Sequence, residues 1–132
     1  MSRHLLDTNT CIFFMKDAHG VADRVRSLPV IDLAISEVTL AELMYGVSRS
    51  QHREKNQRSL DNFLELVEVL PIAPVLGVFA DEKARLRNAG TPVADFDLLI
   101  GATAVHHGLV LVTNNTKHFR RIQGIKLVDW VS

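Results

Sequence analysis

Short apolar runs alternate along this chain with longer stretches in which apolar residues recur at helical spacing. The short runs, at residues 5–6, 33–35, 67–70, 109–112 and 126–128, are continuous rather than alternating. Such runs are expected of strands covered on both faces. Between them, Val38, Leu40, Ala41, Leu43, Met44 and Val47 mark one helix, expected to start from an N-cap at Ser36 and to close near Arg49. Leu60, Phe63, Leu64 and Val67 mark a second. Val75, Val78, Phe79 and Leu86 mark a third, ending at Gly90; Leu98, Leu99, Ala102, Val105 and His106 mark a fourth, ending at Gly108. Glycine readily takes the left-handed conformation that closes a helix. Pro29, Pro71, Pro74 and Pro92 all fall in the expected connections. Strands alternating with helices predict βαβ units and an α/β fold with a mostly parallel sheet. Apolar residues on the first of these helices, such as Met44, Tyr45 and Val47, are read as core rather than interface.

A length of 132 residues fits one domain, and no repeat, low-complexity tract or linker divides it. The 47% apolar and 23% charged residues are those of an ordinary globule. Fifteen basic residues balance fifteen acidic ones, which argues against a strongly basic nucleic-acid coat while leaving room for a local basic surface. The single cysteine, Cys11, excludes an internal disulfide and a cysteine metal site. Arg3, Asp7, Lys16 and Asp17 interrupt the first twenty residues, and no apolar run approaches the ~20 residues that span a bilayer. A cytoplasmic protein without a membrane partner is the expectation.

Against this ordinary background three acids stand out. Asp7 ends the first apolar run; Glu42 lies in Thr39-Leu40-Ala41-Glu42-Leu43; Asp97 lies in Asp95-Phe96-Asp97-Leu98-Leu99-Ile100. Each adjoins apolar residues and so belongs at the margin of the core. Carboxylates brought to one place repel each other unless a divalent cation neutralises them, so the pattern points to metal-dependent chemistry. In open parallel sheets, sites form beyond the carboxyl ends of the strands where strand order reverses. Asp7 follows the first strand and Thr113-Asn114-Asn115-Thr116 follows the fourth, so neighbouring central strands would aim both into one crevice.

Each acid also has a plainer role open to it. Asp7 could be the Asx-turn or N-cap of a helix containing Cys11, Ile12 and Phe13. Thr39-x-x-Glu42 matches a capping box, although a start at Ser36 moves Glu42 into the second turn. Asp97 could complement a helix dipole, with Asp95 as the cap. It shares a face with Ile100, which makes it a better ligand than Asp95. Asn115 is neutral and would act through water or substrate; Asn also tolerates left-handed backbone. Six histidines form no His-x-x-x-His pair. Arg49, His52, Arg53, Lys55 and Arg58 read as a solvated helix face. Lys117, His118, Arg120 and Arg121 directly follow the Asn turn. They are the first choice for phosphate contacts, together with Thr113.

Assembled in order, these segments resemble PIN-domain ribonucleases, specifically toxins of the VapC type. The resemblance rests on Leu5-Leu6-Asp7-Thr8-Asn9, Ser36-x-x-Thr39-x-x-Glu42-Leu43-x-x-Gly46, Asp97-Leu98-Leu99-Ile100-Gly101-Ala102, Leu111-Val112-Thr113-Asn114-Asn115-x-x-x-Phe119 and Asp129-Trp130. It implies a single PIN-like domain over residues 1–132, with a Rossmann-like α/β/α sandwich. It implies Mg2+, or Mn2+, held by Asp7 and Asp97, with Glu42 as a further acidic residue. Many relatives carry a fourth acid where Asn115 stands, so this chain departs from the fullest pattern there. It also implies endoribonuclease activity on structured RNA, with the anticodon region of initiator tRNA suggested by this branch. The implied partners are a second copy of the chain, a VapB-type antitoxin that blocks the active site, and operator DNA bound only through the toxin–antitoxin complex.

Two rival readings remain. A phosphatase using Asp7 as nucleophile would want a second acid at position 9, which is Asn9. A non-catalytic module could instead use the acidic pocket to dock a partner's arginine.

Overall fold

The structure, a computed structural model, describes residues 3–29 and 32–131. Its centre is a five-stranded sheet in the order β3-β2-β1-β4-β5. The strands are β1 His4–Leu6, β2 Leu33–Ser36, β3 Glu68–Leu70, β4 Val110–Val112 and β5 Lys126–Val128. Every pairing is parallel, with Leu5 opposite Ala34 on one side and Leu111 on the other. Each strand lies at one of the five expected apolar runs.

Because successive strand residues point to opposite faces, each pair of neighbours in these runs serves two cores. Leu5, Ala34 and Leu111 join Leu70, Leu86, Leu98, Ile100 and Phe119 on one face. Leu6, Ile35 and Val112 join Cys11, Val21, Leu43, Leu60 and Phe63 on the other. A strand with both faces buried has no polar face to show, which is why the runs are continuous.

The first face is covered by α5 (Leu76–Asn88), α6 (Asp95–His107) and the single turn α7 (Thr116–Phe119). The second is covered by α1 (Thr8–Met15), α2 (Val21–Arg26), α3 (Glu37–Ser48) and α4 (Arg53–Leu64). The helix ends follow local chemistry. Ser36 Oγ accepts from Val38 N at 3.0 Å and caps α3. Gly90 and Gly108 take φ values of +75° and +65° just past α5 and at the end of α6, where a side chain would be strained.

Three expectations need correction. Val67 lies beyond α4, which ends at Leu64, in the turn that leads into β3. Asn114 and Asn115 do not use left-handed backbone; Asn115 has φ −103°. Met44 and Tyr45 are not core. They are 53% and 66% exposed on α3, because the buried stripe of that helix runs through Val38, Thr39 and Leu43. Among the described residues, no helix is long and apolar enough to cross a membrane.

Candidate active site

The sheet order puts β1 between β2 and β4, so the chain reverses direction across the sheet between β1 and β4. The backbone N–H of Asp7 donates to the Val112 carbonyl at 3.1 Å, and Thr113 N donates to Val128 O at 3.0 Å. Asp7 and Thr113 therefore leave the sheet together at its carboxyl end. Asp7 is only 5% exposed. Its Oδ1 accepts from Thr10 N at 2.8 Å and caps α1, so the helix-cap reading of Asp7 is correct. It does not exclude a second role, since a carboxylate has further lone pairs to offer.

Burial pushes the Asp7 carboxyl above the usual carboxylate range. Hydrogen bonds from Thr113 and Thr10 pull it partly back, and the nearby Asp97 carboxylate pushes it up further. Asp97 comes from the first turn of α6, where it is half-buried between exposed Phe96 and buried Leu98. Asp95 is exposed and is the first residue of α6, with Ala94 at the cap position. The expectation that Asp95 caps the helix is thus corrected: its carboxylate instead meets Lys83 Nζ at 2.9 Å.

Glu42 arrives from the second turn of α3 and is half-buried. The Thr8 hydroxyl donates to Glu42 Oε1 at 2.6 Å and lies 3.2 Å from the Thr39 hydroxyl. Thr8 thus ties Glu42 to the residue next to Asp7. Even so, no three His, Cys, Asp or Glu side chains among the described residues converge closely enough to hold a metal between them. In place of the expected three-acid cluster, Asp97 is an electrostatic neighbour of Asp7, and Glu42 is held by the Thr8 hydroxyl. Thr8 was not singled out from the sequence, although its hydroxyl stands next to the acid in Asp7-Thr8-Asn9.

The turn after β4 is built on Thr113, which is fully buried. Its hydroxyl bonds Asp7 and also accepts from Asn115 N at 3.0 Å. A phosphate contact from Thr113 is therefore corrected: the side chain lies beneath Asp7, shut away from substrate. Asn115, Lys117, Arg120 and Arg121 are all exposed. Arg121 Nη1 donates to the Pro92 carbonyl at 3.2 Å, which draws it toward the α5–α6 connection. A groove of about 380 Å3 passes between α1, α3 and α4, with Ile12, Met15 and Leu43 on its walls and Lys16, Glu42 and Arg49 among its polar groups.

The donors at the centre are all oxygens, and they carry net negative charge in a place that disfavours it. That chemistry fits a hard divalent cation that retains several waters and needs few protein ligands.

Comparison with known proteins agrees with this geometry. The sequence profile of the PIN domain matches residues 4–125. The tRNA(fMet)-specific endonuclease VapC of Salmonella typhimurium is 37% identical over 131 residues, covering 98% of this chain and 99% of that protein. The crystal structure of DNA-bound VapBC from Salmonella typhimurium superimposes with a TM-score of 0.90 at 37% identity, covering 98% and 99% of the two chains. The structure of VapBC2 from Rickettsia felis bound to a promoter DNA fragment gives a TM-score of 0.89 at 34% identity, covering 96% of this chain and 98% of that one.

Proposed function

Because this chain belongs to the PIN-domain family, in its VapC branch, we propose that it is the ribonuclease toxin of a type II toxin–antitoxin pair. Its reaction is hydrolysis of RNA phosphodiester bonds, dependent on a divalent cation. The observation that carries this reading is the buried Asp7 carboxylate at the carboxyl end of β1, whose charge is disfavoured by burial and by the neighbouring Asp97.

Asp7 and Asp97 are the proposed cation ligands. Mg2+ is the preferred ion and Mn2+ its substitute, because an oxygen-only site suits hard cations. When bound, such a cation acidifies a water and offsets charge gathering on the phosphoryl oxygens. Thr8 holds the Glu42 carboxylate beside this pair. From there Glu42 accepts a hydrogen bond from the attacking water and orients it. The exposed amide of Asn115 is suited to a water or substrate contact rather than direct ligation, since it brings no charge. Lys117 and Arg120 are the proposed phosphate contacts. Arg121 is a weaker one, because part of its guanidinium is engaged by Pro92.

The Salmonella typhimurium relative is named for specificity toward tRNA(fMet), and initiator tRNA is the proposed substrate here, cut in its anticodon region. The solved relatives are VapBC complexes on DNA. By that similarity a VapB-type antitoxin is the proposed inhibitor, and operator DNA is reached through the complex. A homodimer is also proposed, with exposed Met44 and Tyr45 as apolar surface available to a second copy. The phosphatase alternative is not favoured, because position 9 is an amide.

The test incubates antitoxin-free protein with total RNA and with purified initiator tRNA, with and without Mg2+, and maps the new ends. A discrete cut that requires the cation is expected. Intact RNA in the presence of folded protein and Mg2+ would defeat the proposal.

A further inference from the structure

His118 is expected among the phosphate contacts, but its ring is half-buried and turned toward Asp97. It sits on α7, the single turn that follows the Asn pair. The Nε2 atom is closed off from solvent, and no group among the described residues makes a well-aligned hydrogen bond to it. A buried ring nitrogen without a partner is uncommon and calls for a reason. The atom facing it is Asp97 Oδ2, at 3.3 Å. A small rotation of either side chain would complete the bond.

The placement of His118 is not a surface accident. Phe119, the next residue, is 2% exposed in the core and anchors α7 there. The Asn115 carbonyl accepts from both His118 N and Phe119 N, each at 3.2 Å. Asn115 N in turn donates to the Thr113 hydroxyl at 3.0 Å, and Thr113 bonds Asp7. A continuous path therefore runs from Asp7 through Thr113, Asn115 and α7 to His118, and ends on Asp97. The two acids come from different places, the end of β1 and the first turn of α6, and this turn links them.

We propose that His118 is a positioning residue for the cation site: its Nε2–H holds Asp97 Oδ2 and so fixes which face of the carboxylate a bound cation meets. Carboxylate ligands that are held by a neighbouring donor lose less freedom on binding, and loss of such a partner typically weakens metal affinity. This inference rests on the reading that Asp7 and Asp97 face a divalent cation.

The experiment measures Mn2+ affinity by titration calorimetry on the full, RNA-free chain. It compares wild type with His118→Leu, which keeps bulk without a donor, and with His118→Gln, which keeps an N–H at similar reach. Leucine should weaken Mn2+ binding by roughly tenfold and glutamine by no more than about threefold. In an Asp97→Asn background the leucine change should have no further effect. Thermal melts check that each variant folds, and if leucine does not, the glutamine variant alone and combined with Asp97→Asn carries the comparison.

Wild-type affinity in the leucine variant overturns the inference. So does a loss that persists undiminished in the Asp97→Asn background, or glutamine failing as badly as leucine. A wild type that binds no Mn2+ overturns it together with the cation reading. A wild type whose Mn2+ affinity depends on His118 in this way but that cuts no RNA would leave this inference standing while the ribonuclease proposal fails.

Discussion

The two ends of the sheet each bury an aspartate, and they treat it in opposite ways. At the amino end, Asp32 is 6% exposed just before β2. Its electrostatic neighbour is the His4 imidazole, whose pKa is lowered by burial and drawn back up by Asp32. Trp130 packs against the same ring with centroids 5.1 Å apart, and Arg3 pairs with Glu68 at 2.6 Å nearby. At the carboxyl end, Asp7 is 5% exposed, and its charged neighbour is another acid. At the amino end the acids have the chain's own basic groups as neighbours. At the other end Asp7 is held by hydroxyls, which can orient a carboxylate but cannot neutralise it, while the His118 imidazole faces Asp97. A fold gains no stability from that second arrangement, so the difference marks the end where a ligand cation is expected.

The sharpest test of this contrast is Asp7→Asn. Cleavage of initiator tRNA should fall by roughly 100-fold or more; a rate close to wild type would remove Asp7 from the site. The variant should still fold, because asparagine also caps helices well.

Stability gives the next largest effect. Asp7 titrates higher folded than unfolded, so its ionisation opposes folding. Its contribution is most favourable below the unfolded carboxylate range and is lost as pH rises through the raised folded value. Asp7→Asn should therefore match wild type in acid and exceed it near neutrality. Saturating Mn2+ should reverse the order by binding wild type alone, a gain of about 2.7 kcal/mol at a hundred times Kd. Denaturant melts from pH 4 to 7, with and without Mn2+, measure both, and a cation-insensitive wild type would contradict the contrast.

A smaller change is expected from Thr8→Val, which removes the donor to Glu42. Stability should drop by about 1 kcal/mol, and cleavage should weaken while Mn2+ affinity stays near wild type. An equal loss of Mn2+ affinity would instead make Glu42 a direct ligand.

Smallest of all is Glu68→Gln at the amino end. The Arg3–Glu68 pair is largely exposed, so about 0.5 kcal/mol or less should be lost. Cleavage and Mn2+ affinity should not move. Any sizeable change in either would mean that the two ends communicate.

Much of the fold was legible because its signals are local. The continuous runs at 5–6, 33–35 and 109–112 read as strands buried on both faces, and strands stand there. Ser36 announced α3, and Gly90 and Gly108 announced the ends of α5 and α6. What escaped notice was short or context-dependent. α2 spans Val21–Arg26 and α7 spans Thr116–Phe119, too few residues for periodicity to declare itself. Met44 and Tyr45 fit an apolar helical stripe, yet α3 turns that edge to solvent. Thr113 looked like an exposed loop hydroxyl and proved to be buried beneath Asp7.

The chain's residues alone determined that acids would end a parallel α/β sheet, because burial patterns and helix stops depend on neighbours a few positions apart. They also singled out Asp97 over Asp95, since a shared helix face with Ile100 is a matter of spacing. Only tertiary structure decided which acids meet. Asp7 and Asp97 are brought together by strand order and by the docking of α6, while Glu42 is held aside by a hydroxyl 34 residues away in sequence. Electrostatic repulsion and hydrogen bonding act through space, and spatial distance between elements cannot be read from position along the chain.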